Sequence, residues 1–155
     1  MDATSTQNGY AVLNLERRYQ ASVSRVFEAW CQDTLMQKWF GAASYPVTSI
    51  TLDVRPGGRY EIVQEGPDGT PIRHFGTYID VEKNRRLAFT WVLASQSCQG
   101  CAGHEATTLV TIEFTDEGTS TLLRLTHEKL PNQQAYDGHK HGWTTCLASL
   151  EATLA

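Results

Sequence analysis

Cys98, Cys101 and His104 fall within seven residues, CQGCAGH. Two thiols three positions apart suit neighbouring corners of a zinc tetrahedron, and the histidine offers a third ligand. A closed structural zinc site normally takes four, so the last would have to come from elsewhere in the chain. Cys31 and Cys146 do not offer themselves, because each sits among apolar helical positions as a small buried hydrophobe. The same pair could close a disulfide or act as a redox couple. A reactive thiolate normally has its pKa lowered at a helix N-terminus, whereas CQGCAGH lies between two strand patterns. Three readings stand open: a plain loop, a loop clasped by zinc, and a redox pair.

His127 is the second chemical centre. Its unperturbed pKa, close to neutrality, suits a general base, but such a base also needs a substrate within reach. No Ser/His/Asp arrangement follows from the spacing, and Glu128, next in the strand, should face the other way. His127 is therefore read first as a buried hydrogen-bonding group and second as a catalytic base, and the protein as a binder before an enzyme. His139 and His141 are two apart in a helix and diverge. His74 falls on the outer side of its strand by simple alternation.

These residues need elements to hold them. Residues 12–22 read as a first strand. Val23, Val26, Phe27 and Trp30 mark a helix over 22–31 with Ser22 as N-cap. A second short helix follows over 33–40, capped by Asp33 and ended by Gly41. The period then becomes two, giving strands at 47–54, 58–65, 72–82, 85–94, 105–116 and 119–130. Their links are short, so neighbours run antiparallel. Residues 136–154 return to helical period, with Trp143, Cys146, Leu147, Leu150 and Leu154 on one stripe and Asp137 as cap. Gly58 relieves a tight turn, and Gly142 lets the helix approach the sheet beside Trp143. The fold class is α+β: a curved seven-stranded antiparallel sheet around a long C-terminal helix, with two short helices after the first strand. Residues 1–11 are expected to fray, and 12–155 to form one domain.

Alternation then assigns the inner face. It takes Leu87, Phe89, Trp91 and Leu93 from one strand, and Val110, Ile112 and Phe114 from the next. Leu123, Leu125 and His127 follow, with Tyr60 and Ile62, and with Ile50, Leu52 and Val54. In 72–82 it takes Phe75, Ile79 and Val81, leaving Tyr78 outside. Phe27, Trp30, Trp143, Cys146, Leu147 and Leu150 face this sheet from the helices. A gap here would be an apolar pocket with a few polar tips, lined by Phe27, Trp30, Tyr60, Ile62, Phe75, Phe89, Trp91, Ile112, Leu125, His127, Trp143, Cys146, Leu147 and Leu150. The competing reading is a core in which the aromatics fill the space.

Composition narrows the partners. A formal charge of −4 with no basic run beyond Arg17–Arg18 and Arg85–Arg86 argues against nucleic acid. Those arginines read as solubilising groups at sheet edges and turns. No apolar run approaches a membrane span, and the polar start MDATSTQNGY is unlike a secretion signal, which makes the cytoplasm the default compartment. A domain of 155 residues can bury its own core without disulfides.

The stretches VFEAWCQDTLMQKWFG (26–41), VRPGGRYEI (54–62), FGTYIDVEKNRRLAFTW (75–91), TLVTIEF (108–114), LRLTHEKL (123–130) and HGWTTCLASLEATL (141–154) carry a resemblance across nearly the whole chain. It resembles the family named for the activator of the ninety-kilodalton heat-shock chaperone's ATPase, and within it the small bacterial single-domain members. The resemblance implies the helix-grip fold of the START-like (birch-pollen-allergen-like, SRPBCC) superfamily. It implies a cavity between sheet and long helix for a lipid, polyketide or other small apolar molecule, with no shared catalytic motif and no required cofactor. Some relatives pair, so a monomer or a homodimer is expected. In eukaryotic activators a separate N-terminal domain makes a major chaperone contact. Eleven residues precede Val12, leaving no room for one, which puts chaperone binding in doubt. Two further classes are carried alongside: a protein-interaction or chaperone-cofactor-like module without a ligand, such as a stress-response subunit, which an exposed Tyr45–Tyr78 patch would favour, and a cyclase- or hydratase-like enzyme using His127.

Overall fold

The computed structural model describes residues 5–7, 10–40, 45–66, 68–93 and 106–154, so Cys98, Cys101 and His104 lie outside the described residues. The strands are β1 (Ser5–Gln7), β2 (Tyr10–Tyr19), β3 (Val47–Leu52), β4 (Arg59–Glu65), β5 (Pro71–Glu82), β6 (Arg86–Leu93), β7 (Ala106–Asp116) and β8 (Thr121–Leu130). The helices are α1 (Val23–Cys31), α2 (Asp33–Trp39) and α3 (Gln133–Leu154). All seven expected strands are present. The short β1 is additional, and it lies in the stretch read as frayed.

One antiparallel sheet runs in the order β1-β2-β8-β7-β6-β5-β4-β3. From β3 to β8 each strand pairs with the next in sequence, as the short links require. Asn84 and Gly118 supply the positive φ that the β5–β6 and β7–β8 turns need. The one long excursion, through α1 and α2, carries the chain from β2 to the opposite edge at β3. Helix α3 then packs against α1, α2, β2 and β8. Its buried stripe of Trp143, Cys146, Leu147, Leu150 and Leu154 meets a sheet face on which Leu13, Leu87, Val110, Ile112, Leu123 and Leu125 are fully enclosed.

Helix α3 begins earlier than its apolar stripe suggests. Asn132, not Asp137, is the cap: its Oδ1 accepts the Ala135 N–H at 2.8 Å. The three added residues, Gln133–Ala135, begin the turn that places His139 over the sheet. Ser22 occupies the N-cap position of α1 without a side-chain capping bond. Gly142 faces open space, so it does not serve close packing. Gly58 does: a Cβ there would come within 2.0 Å of the Asp53 carbonyl oxygen.

The described strands contain three register shifts; one lies at the start of β3, between Val47 and Ser49, and the other two bear on the inner face. In β5 the register jumps between Tyr78 and Asp80, so Tyr78 opposes Phe89 while Val81 opposes Leu87. The extra residue, Ile79, is 55% exposed. Before this bulge the inward residues are therefore Ile72, His74, Gly76 and Tyr78, which overturns the placement of Phe75 and Ile79 inside and of Tyr78 outside. Phe75 lies on the outer face beneath the Arg73 guanidinium, 4.3 Å from its ring. In β8, Lys129 has φ 66°, and the β2–β8 register shifts between Ala11 and Leu13. His127 and Leu130, three apart, are thereby both buried.

Candidate functional site

Trp91, near the end of β6, is the hub of the inner face. The imidazole of His74 stacks on it, with centroids 4.6 Å apart and planes at 22°. Trp143 of α3 lies 5.1 Å away on a tilted plane. Gly76 makes room beside it, since a Cβ there would approach the Thr90 carbonyl oxygen to 2.0 Å. Tyr60, opposite Gly76 on β4, donates its hydroxyl to that same oxygen at 2.6 Å. Burial holds the Tyr60 phenol well above its ordinary pKa, so it stays a donor at neutral pH.

The polar tips around Trp91 form one chain of hydrogen bonds whose proton positions follow from the donors. The Thr108 hydroxyl donates to the Trp91 carbonyl oxygen at 2.6 Å, so it accepts from His127 Nε2–H at 2.7 Å. Trp143 Nε1–H donates to His127 Nδ1 at 3.1 Å. His127 is therefore neutral, fully enclosed and bonded at both ring nitrogens. Burial, then its neighbour His139, holds its pKa well below the ordinary value. The ring has no free lone pair for a substrate proton, so the general-base reading has no geometry behind it. His127 instead pins β7 and β8 to α3.

His139 extends the network. Trp91 Nε1–H donates to its Nε2 at 3.2 Å, and its Nδ1–H donates to the Ala135 carbonyl at 2.8 Å. Burial lowers its pKa, opposed by the bond to Ala135. On the far side of Trp91, His74 Nε2–H donates to Gln64 Oε1 at 2.7 Å, and Gln64 Nε2–H donates to the Tyr45 carbonyl at 3.0 Å. Burial and the nearby His139 bring the His74 pKa down to about 4. Three neutral imidazoles thus surround one indole. Sequence alternation missed His74 because the bulge that sets its face lies further along the strand.

In front of this network a crevice opens between sheet and helices. The sheet contributes Leu52, Tyr60, Ile62, Tyr78, Leu87, Phe89 and Trp91. The helical side contributes Trp30, Met36, Phe40 and Trp143. Its cavity volume is about 10 Å³. The aromatics therefore fill most of the space, and the enclosed remainder has room for about one water.

Of the residues read as pocket-lining, Trp30, Tyr60, Ile62, Phe89, Trp91 and Trp143 border this crevice. Phe27, Ile112, Leu125, Cys146, Leu147 and Leu150 are buried elsewhere in the core, with Phe27 edge-on to Phe114 at 5.2 Å. His127 sits behind Trp91 and Trp143, and Phe75 is on the opposite face. Leu52 and Leu87 were read on the inner face but not at the pocket, and Met36, Phe40 and Tyr78 were not foreseen there at all; the apolar side of α2 was the available signal for Met36 and Phe40. Tyr78 is 4% exposed, so the Tyr45–Tyr78 surface patch does not form. Among the described residues, no group of three His, Cys, Asp or Glu could hold a metal ion, and no helix is long and apolar enough to cross a membrane. Cys31 is a free thiol whose pKa burial pushes up to about 12, as befits a packing residue.

The comparisons with known proteins agree with this architecture. The family model described as Activator of Hsp90 ATPase homolog 1-like protein matches residues 20–155. A solved structure from Nitrosomonas europaea is similar with a TM-score of 0.79 at 23% identity, over 96% of both chains. The AHSA1 protein from Silicibacter pomeroyi is similar at 0.79 and 24% identity, over 93% of this chain and 97% of that one. An uncharacterised protein from Rhizobium leguminosarum gives 0.75 and 25%, over 94% of each. No curated protein matches the chain.

Proposed function

The chain belongs to the family of Activator of Hsp90 ATPase homolog 1-like proteins, and from that premise we propose that it binds one small, neutral, largely apolar molecule in the crevice between sheet and helices. The observation that carries this reading is the lining: eleven residues, seven of them aromatic and none charged, converging from the sheet and all three helices. The association of the family with START-like domains that hold hydrophobic ligands supports it. The polar atoms nearby favour binding over chemistry, because His127 and the indoles of Trp91 and Trp143 already have their partners.

The small enclosed volume sets the mode of entry. A ligand larger than a water must displace side chains at the mouth, and Met36 on α2 and Phe40 at its end are the movable wall, since Trp143 is tied to His127. Binding is then accompanied by a shift of α2 against the sheet, and the affinity is reduced by the cost of opening. Native mass spectrometry of protein purified gently, without detergent or organic solvent, tests the reading. The expected spectrum contains a second species heavier by one small molecule that organic extraction removes. A homogeneous apo mass, from every expression host tried, would count against a resident ligand.

A further inference from the structure

Three indole N–H groups belong to residues bordering the crevice, and they differ in one respect. Trp91 donates to His139, and Trp143 donates to His127. The Trp30 Nε1–H, on a side chain 1% exposed, has no hydrogen-bond partner. A buried donor left unpaired is destabilising, and phenylalanine at the same place would have avoided that cost. The Trp39 ring lies 4.7 Å away, tilted by 59°, and offers at best a weak π acceptor. Nor is a single water a good partner, since a buried water needs two to four polar contacts and the walls here are nearly all carbon.

We infer that Trp30 Nε1–H is the polar anchor of the crevice, and that its ligand is an uncharged molecule with an apolar body and one hydrogen-bond acceptor, such as a ketone or ether oxygen, directed at that indole. This inference rests on the crevice being a ligand site. An acceptor on a carbon body satisfies both the lone donor and the apolar walls. An ionised ligand is excluded, because no lining residue carries a compensating charge. Trp30 thereby selects for polarity, whereas the surrounding rings select for size. The role fits its position on α1, facing the sheet beside Trp39 and Trp143.

Two near-isosteric probes test it: acetophenone, which carries the acceptor, and ethylbenzene, which does not. Dissociation constants for both are measured on wild type and on Trp30→Phe by ligand-observed NMR. The expected result is that Trp30→Phe weakens acetophenone relative to ethylbenzene by roughly 3- to 10-fold, one hydrogen bond's worth. An unchanged ratio overturns the inference. A second measurement uses the wild type alone, in case the variant does not fold. With indole nitrogens labelled, the four tryptophan side chains are followed during titration, Trp30 being identified by its proximity to the Trp39 ring. Acetophenone should move the Trp30 indole proton downfield and ethylbenzene should not. Saturable binding of both probes with that proton unmoved overturns the anchor but leaves the crevice as a ligand site. Binding of neither removes the ligand reading itself, and the anchor with it.

Discussion

His127 shows how one residue's chemistry is decided by its neighbours. A histidine on an apolar strand face invites a catalytic reading, yet Thr108 and Trp143 occupy both nitrogens. Replacing it by Phe leaves the Trp143 N–H without its acceptor and disturbs Thr108, and should destabilise the fold by about 2–4 kcal/mol in chemical denaturation. The three histidines also set a pH dependence. Their folded pKa values lie below the ordinary 6.5, with His74 at about 4. The unfolded chain therefore binds more protons than the folded one in the window from about 6.5 down to about 4. Stability is fully present above 6.5 and falls as pH drops through that window, by at most about 1.4 kcal/mol per pH unit for each histidine. Melting temperatures between pH 7.5 and 4.5 should decline, and His74→Gln should flatten the decline. A flat profile for wild type would show that the imidazoles are not held neutral by the fold. The inward histidine on β8 was legible in the sequence. Its partners were not, because they come from two other elements, β7 and α3.

At the scale of elements, the strands and helices were readable because their periods differ and their turns carry Gly, Asn and Pro. What periodicity could not give was phase across a bulge. One extra residue at Ile79 moved Phe75 out and brought His74 and Tyr78 in. On β6, β7 and β8, which lack an interruption before His127, Leu87, Phe89, Trp91, Val110, Ile112, Phe114, Leu123 and Leu125 were assigned correctly for the same reason. The N-terminal strand β1 is three residues long and polar, so it has no pattern to detect. Two glycines read as architectural, and one newly placed, separate real constraint from permissiveness. Gly76→Ala and Gly58→Ala each drive a Cβ to within 2.0 Å of a carbonyl oxygen, and each should lower the urea midpoint by the equivalent of about 2 kcal/mol or more. Gly142→Ala, on an exposed helical position with nothing nearby, should raise it by up to about 1 kcal/mol.

For the whole molecule, the sheet and α3 together make a core whose front is a nearly closed aromatic crevice and whose back is a hydrogen-bonded lock around Trp91. The lock ties β4, β5, β6, β7, β8 and α3 together, so the back wall stays in place when the front is opened. All three helices contribute to the front, but α2, a helix of seven residues, reaches it only through the Phe40 and Met36 side chains, which take no part in the lock. That asymmetry is the structural basis for expecting ligand entry beneath α2. The central claim is that the crevice accepts a neutral apolar molecule. Its most direct test is titration with N-phenyl-1-naphthylamine, a neutral fluorescent probe, comparing wild type with Leu52→Trp, which fills the crevice from the β3 edge. Saturable one-to-one binding in wild type, lost in a Leu52→Trp protein of similar thermal stability, is the predicted result. Failure of wild type to bind, or equal binding by the filled variant, would contradict it.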